Sequence, residues 1–368
     1  MSSDKNLPDK AEQQFPAGPP QGKLASLGGS AVREATSVGA TYPLLQVRDL
    51  ATEFATRSGT ARAVDGVSFD VFAGEIVGLV GESGSGKSVT GYSILGLIDL
   101  PGRITGGSVR LEGQELVGMP RKQLRTLRGR RIAMVFQDPM STLNPVLTVS
   151  AQMQLAMRAH GQPDAAQMRA RALAALGKVG IPDPERRLDA YPHELSGGMR
   201  QRVAIAIAFL NQPALVICDE PTTALDVSIQ AQILVEMKTL VREAGVSLVW
   251  ISHDLATVSV LASRLLVMYA GRLIEEGPTA EVLRRPRHPY TQGLIDSLPS
   301  RAAPGRDLVQ IPGSTPALTS LPTGCAFRER CSQATAICGT APAQTVDNAR
   351  TWRCHHPLNI NVPAEVGV

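Results

Sequence analysis

From Leu44 onward the apolar positions follow a regular order that residues 1–43 lack. "LLQVRDL" (44–50) and "RAVDGVSFDV" (62–71) alternate apolar and polar residues, which predicts strands of a half-exposed antiparallel sheet. "EIVGLVG" (75–81) is instead continuously apolar, as a parallel strand covered on both faces must be. The loop after it leads into a helix predicted to start near Lys87. Similar buried strands are predicted at "RIAMVF" (131–136), "ALVICD" (214–219) and "SLVWIS" (247–252), with helical periodicity between them. Strands alternating with helices imply an α/β domain with a largely parallel sheet.

Between about 138 and 210 strand patterns stop, and segments such as "DAAQMRARALAALGKVG" predict a helical insert within a domain spanning 44–285. Residues 1–43, rich in Pro, Gly, Ser, Ala and Gln, are expected to be a disordered tail. Past about 285 periodicity fades and four cysteines gather, so 286–368 is expected to form a small appended domain. No internal repeat is visible.

Composition changes this picture little. The 368 residues are 43% hydrophobic, enough for a sizeable core, and a net charge of +4 makes no case for binding nucleic acid. "RKQLRTLRGRR" (121–131) carries six basic residues but no aromatic to stack on bases, and is read as a solvated helix face. Apolar runs such as "VAIAIAFL" (203–210) fall far short of the roughly 20 residues that span a bilayer, and the N-terminus has no secretory apolar region. The chain is therefore expected in the cytosol, with any membrane role reached through partners.

The chemistry is concentrated in short motifs. "GESGSGKS" (81–88), between a buried strand and a helix, has the pattern and context of a phosphate-binding loop. Its residues, Gly81, Glu82, Ser83, Gly84, Ser85, Gly86, Lys87 and Ser88, with Val89 following, are candidate ATP contacts. The glycines let successive N–H groups face a phosphate chain, Lys87 adds a positive charge, and Ser88 offers a hydroxyl to Mg²⁺. "ALVICDEP" ends a buried strand on Asp219, suited to hold Mg²⁺, and Glu220, placed to polarise an attacking water. His253 in "WISHDL" ends another strand at the same edge of the sheet and is a candidate γ-phosphate contact. Gln137 closes its own strand where the helical insert begins, with an amide available to Mg²⁺ or a water. A second glycine turn, Ser196, Gly197 and Gly198 in "ELSGGMRQR", opens an apolar helix and presents free N–H groups to an anion.

Taken in order, Lys87, Gln137, "LSGGM", "CDEP", "TALD" and His253 resemble an ABC-type ATPase subunit. The resemblance implies a P-loop NTPase with a RecA-like core, an antiparallel β subdomain and a helical insert. It further implies two such subunits head to tail, the signature residues Leu195, Ser196, Gly197, Gly198 and Met199 of one closing over ATP and Mg²⁺ on the other. Asp226 would couple the two sites, and Phe54 would stack on adenine. Met199 stands where many family members have glutamine.

"RHPYTQGLIDSLP" (287–299) and "CAFRERC" (325–331) resemble the C-terminal extension of oligopeptide and dipeptide import ATPases, whose relatives also serve nickel and some oligosaccharides. The resemblance implies a second ATPase (a paralogue), two transmembrane permeases, an indirect link to an extracytoplasmic binding protein, and a place on the cytoplasmic face of the bacterial inner membrane. Cys325, Cys331, Cys338 and Cys354 are spaced C-x5-C-x6-C-x15-C, without the tight knuckle common in zinc sites. Members of this family are understood to carry a 4Fe-4S cluster in the matching extension; zinc and free thiols are the alternatives, and His355 and His356 are possible substitute ligands.

Overall fold

A computed structural model of the chain describes residues 42–161, 163–223, 225–301 and 309–359. The expected N-terminal tail, 1–43, lies almost wholly outside the described residues. The chain starts on a long antiparallel pair, β1 (Leu45–Thr56) and β2 (Gly59–Val71), followed by β3 (Ile76–Val80) and helix α1 (Lys87–Leu95). Next come β4 (Gly102–Leu111), β5 (Gln114–Glu115), α2 (Arg121–Leu127) and β6 (Ile132–Val135). Five helices follow: α3 (Pro139–Thr142), α4 (Val149–Arg158), α5 (Ala165–Lys178), α6 (Pro184–Leu188) and α7 (Gly197–Phe209). The α/β order then resumes with β7 (Leu215–Asp219), α8 (Val227–Ala244), β8 (Ser247–Ser252), α9 (Leu255–Leu261), β9 (Arg264–Tyr269) and β10 (Arg272–Pro278). Helices α10 (Thr279–Arg284) and α11 (Pro289–Asp296) and the strands β11 (Thr345–Asp347) and β12 (Arg350–Trp352) complete it.

Two sheets result. An antiparallel sheet runs β2-β1-β4-β5, and a mixed sheet runs β11-β12-β10-β9-β3-β8-β7-β6, with β9, β3, β8, β7 and β6 parallel. Strands β4, β9 and β10 go unnamed in the sequence reading, although "RLLVMY" at β9 carries the same apolar run as its neighbours.

The period of two along each central strand explains why these runs are apolar throughout. In β7, Leu215 and Ile217 join a core shared with the antiparallel sheet, whereas Val216 and Cys218 join the core beneath α7 and α8; Val249 and Ile251 in β8 divide from Leu248 and Trp250 in the same way. Cys218 is fully buried, and burial pushes its thiol well above the ordinary range, so this lone cysteine is packing. In the helical stretch, Thr148 and Asp164 cap α4 and α5 by accepting from the N–H groups of Ala151 and Ala166. Those helices bury Met153, Met157, Met168, Ala172 and Leu176. Helix α2 exposes Arg121, Lys122 and Arg125, while Arg128 turns inward and donates to the carbonyls of Leu95 and Gly96 at the end of α1.

The C-terminal stretch extends the mixed sheet, because β12 pairs with β10 at Glu275↔Trp352. Glu275, 1% exposed, accepts from the N–H groups of Arg287 and His288 and from Arg350 Nη2. His288 is equally buried; its Nδ1 accepts from the Tyr290 N–H and caps α11. Burial lowers the His288 pKa to about 3, so the folded chain excludes a proton that the unfolded chain takes up below about pH 6.5. The stability tied to this residue is complete above that pH and declines as pH falls toward 3. Melting temperature should therefore drop less between pH 7 and pH 4.5 in His288→Asn, which keeps a capping acceptor and does not titrate, than in the unaltered chain. Equal slopes would refute this.

Candidate functional site

Between β3 and α1 the backbone makes a turn that only glycine permits at two places. Gly86 has φ +103°, and a Cβ there would lie 2.2 Å from the Ala63 carbonyl oxygen; one at Gly81 would lie 2.2 Å from that of Met268. No side chain caps α1, so its first N–H groups remain open at the turn. Lys87, 4% exposed, folds back over the turn, and its Nζ donates to the carbonyls of Gly81 (2.8 Å) and Glu82 (2.9 Å). Burial lowers the Lys87 pKa, while Glu220, Asp219 and Glu82 oppose that shift. The Ser85 side chain is fully buried with an unpartnered Oγ, which leaves its backbone for a ligand.

The ends of β7 and β8 bring the acidic and imidazole groups to the same edge. Ser88 Oγ donates to Asp219 Oδ1 at 2.8 Å. Burial raises the Asp219 pKa, and the Ser88 and Tyr92 hydroxyls pull it back. Asp219 Oδ2 is buried without a well-formed hydrogen bond, although the Tyr92 phenol lies near enough to steady the charge. Glu220 adopts a left-handed φ of 45°, and its N–H donates to the Ile251 carbonyl at 2.9 Å. Glu220 Oε2 accepts from Gln137 Nε2 and Thr223 Oγ1, both at 3.2 Å, and lies 3.1 Å from His253 Nδ1. Phe54, Lys87, Ser88, Gln137, Glu220 and His253 line one cavity of about 960 Å³, as do Glu82, Ser83, Gly84, Gly86 and Val89. An anionic ligand would find there a buried cation, open helix N–H groups, and carboxylates beside a hydroxyl and an imidazole.

A family model described as ABC transporter matches residues 64–223, and one described as the oligopeptide/dipeptide transporter C-terminal region matches 274–338. The dipeptide transport ATP-binding protein DppD of Haemophilus influenzae is 46% identical over 317 residues, covering 86% of this chain and 96% of that protein. Its Escherichia coli K12 counterpart is 46% identical over 318 residues, covering 86% and 97%. The chain belongs to the ABC transporter family, as an ATP-hydrolysing subunit. A dimeric post-hydrolysis structure of the ATP-binding cassette MJ0796, bound to ADP and Pi, has the same fold: TM-score 0.58 and 28% identity, over 64% of this chain and 98% of that one.

Other residues that the ABC resemblance singles out lie elsewhere on this cassette. Leu195 is buried, Ser196 and Gly197 are exposed, and none of residues 195–199 lines the cavity. Ser196 Oγ accepts from the Met199 N–H at 3.3 Å and so caps α7, leaving the Gly197 and Gly198 end of the helix outward. Asp226 stands exposed at the start of α8, also outside the cavity. Arg202 is structural, donating to the Val179 carbonyl and to Glu236.

The four cysteines lie in the C-terminal stretch, Cys338 buried and the others half-buried. The Cys325 N–H donates to the Cys338 carbonyl at 3.0 Å. Burial raises the pKa values of Cys325, Cys331 and Cys354, and the charges of neighbouring cysteines add to this. His356 Nε2 is engaged by Thr335 Oγ1 at 2.7 Å, and His355 Nε2 by Thr340. Among the described residues no group of three or more His, Cys, Asp or Glu stands ready to hold a metal ion.

Several contributors escape the sequence reading: Thr223 beside Glu220, and the C-terminal Tyr290, Thr315 and Arg330 around Glu82. Burial pushes the Glu82 carboxyl up, but Arg330, Thr315 and Lys87 outweigh it and hold it below its usual range. Nothing in "CAFRERC" distinguishes Arg330 from a solvated arginine; only its position in space does. Among the described residues no helix is long and apolar enough to cross a membrane.

Proposed function

We propose that this ATPase powers uptake of dipeptides or oligopeptides from the cytoplasmic face of a bacterial inner membrane. The observation carrying the reading is the 46% identity to dipeptide transport ATP-binding proteins over nearly their whole length, including a transporter-type C-terminal region. ATP occupies the cavity, with its base toward Phe54 and its phosphates over the turn 81–88 and Lys87. Ser88, Gln137 and Asp219 hold Mg²⁺, a role that suits the unsatisfied Asp219 Oδ2; the ion supplies charge neutralisation on the phosphates. Glu220 orients the attacking water, and His253 steadies the transferring phosphoryl group.

The outward signature turn, residues 195–199, and Asp226 serve a second ATPase subunit. That partner is a paralogue, and each subunit completes the other's site. This explains why the chain carries two anion-binding turns that do not meet in space. Two permeases dock on the cassette, and an extracytoplasmic binding protein delivers the peptide to them; nucleic acid plays no part.

Reconstitution with two permeases, the second ATPase and a binding protein tests this: dipeptides should stimulate hydrolysis severalfold. Stimulation by nickel or an oligosaccharide alone, or by DNA or ribosomes, would overturn the peptide reading. For the four cysteines, the reading as an iron–sulfur site, with zinc as alternative, rests on spacing and family resemblance; loading would require the thiols to ionise. Iron, zinc and acid-labile sulfide measured after purification without oxygen test it.

A further inference from the structure

Glu82, the second residue of the phosphate-binding turn, is held from three directions by the C-terminal stretch. Arg330 grips its carboxylate as a fork, Nη1 to Oε2 at 2.6 Å and Nη2 to Oε1 at 2.9 Å. Thr315 Oγ1 donates to Oε2 at 3.1 Å. The Glu82 N–H donates to the Tyr290 hydroxyl on α11 at 2.7 Å. The Arg330 side chain is only 6% exposed; its Nε donates to the Pro312 carbonyl, and its guanidinium lies 5.8 Å from the ring centres of both Tyr269 and Phe327. A planar fork fixed in this way leaves Glu82 little rotational freedom.

Glu82 in turn fixes the catalytic lysine's surroundings. Its carbonyl accepts from Lys87 Nζ at 2.9 Å and from the Ser85 N–H at 3.2 Å, so the residue clamped by Arg330 also sets the turn under Lys87. The same C-terminal stretch reaches the cavity itself, where Leu294, Thr315 and Leu318 form part of the lining.

We propose that Arg330 is a positioning residue for nucleotide binding: through Glu82 it holds the phosphate-binding turn and Lys87 in their binding geometry, making the C-terminal stretch an integral part of the nucleotide site. This rests on the reading that ATP occupies the cavity. A turn held in advance avoids the ordering cost that binding would otherwise meet, so loss of the clamp weakens affinity more than it slows chemistry.

The test uses the full chain in its assembled transporter, with a ribose-labelled fluorescent ATP analogue for affinity and steady-state hydrolysis for KM and kcat. Arg330→Ala should raise both Kd and KM by about tenfold while kcat stays within about twofold. Arg330→Lys, which keeps the charge but loses the fork, should restore only part of the affinity. Glu82→Gln should weaken binding similarly, and the double variant should be no worse than the poorer single one, because both remove one interaction. Unchanged affinity in a folded Arg330→Ala chain, or multiplicative losses in the double variant, would overturn the inference. If Arg330→Ala does not fold, Thr315→Val decides: it removes one bond to Glu82, should raise Kd by about two- to threefold, and overturns the clamp if it does nothing. Failure of the unaltered chain to bind the analogue would sink the nucleotide reading instead, a separate outcome.

Discussion

Glu220→Gln should bind ATP as tightly as the unaltered chain while its turnover falls by at least about a hundredfold, the scale of a lost general base. The substitution preserves the side chain's shape and an oxygen that can accept from Gln137 Nε2 and Thr223 Oγ1, now at 3.2 Å. It removes the negative charge needed to polarise a water and the partner facing His253 Nδ1 at 3.1 Å. Glu220 acts on Lys87 through its charge, and the hydrogen bonds from Lys87 Nζ to the Gly81 and Glu82 carbonyls do not involve it, so the groups that grip phosphate are left in place. Equilibrium binding beside single-turnover hydrolysis separates the two effects. Undiminished hydrolysis would remove Glu220 from its assigned role.

The second large effect concerns affinity. Lys87→Ala should weaken nucleotide binding by roughly a hundredfold, since a charge-assisted contact to phosphate is lost and two turn carbonyls lose their donor. Those carbonyls, of Gly81 and Glu82, are held by Nζ at 2.8 and 2.9 Å in a nearly enclosed position. Lys87→Arg should not rescue, because a wide planar fork cannot replace a compact ammonium beneath this turn. Calorimetry on both variants, with melting curves to show that they fold, checks this. Near-normal affinity in Lys87→Ala would place the phosphates elsewhere.

What was legible in the chain itself follows from local rules. Continuous apolar runs at 76–80, 215–219 and 247–252 announce strands covered on both faces, and each is a buried parallel strand. Gly81, Gly84, Gly86, Lys87 and Ser88 lie within one turn, so their spacing alone defines a phosphate loop. Asp219, Glu220 and His253 were legible because strand ends in a parallel sheet converge on one edge. For the four cysteines, spacing names candidate ligands, whereas the burial that raises the pKa values of Cys325 and Cys354 is set by the fold.

Local order along the chain therefore determined the P-loop core, its motifs and the family to which the protein belongs. The tertiary structure alone decided which distant residues serve that core. Arg330 and Glu82 are 248 positions apart, and no periodicity or spacing rule links them; they meet because β12 joins the mixed sheet beside β10 while α11 lays Tyr290 against the turn. The same packing turns residues 195–199 away from the cavity, so the second anion-binding turn faces outward. Hydrogen-bond spacing along one segment is written in its residues, whereas the meeting of two segments depends on how every element between them packs.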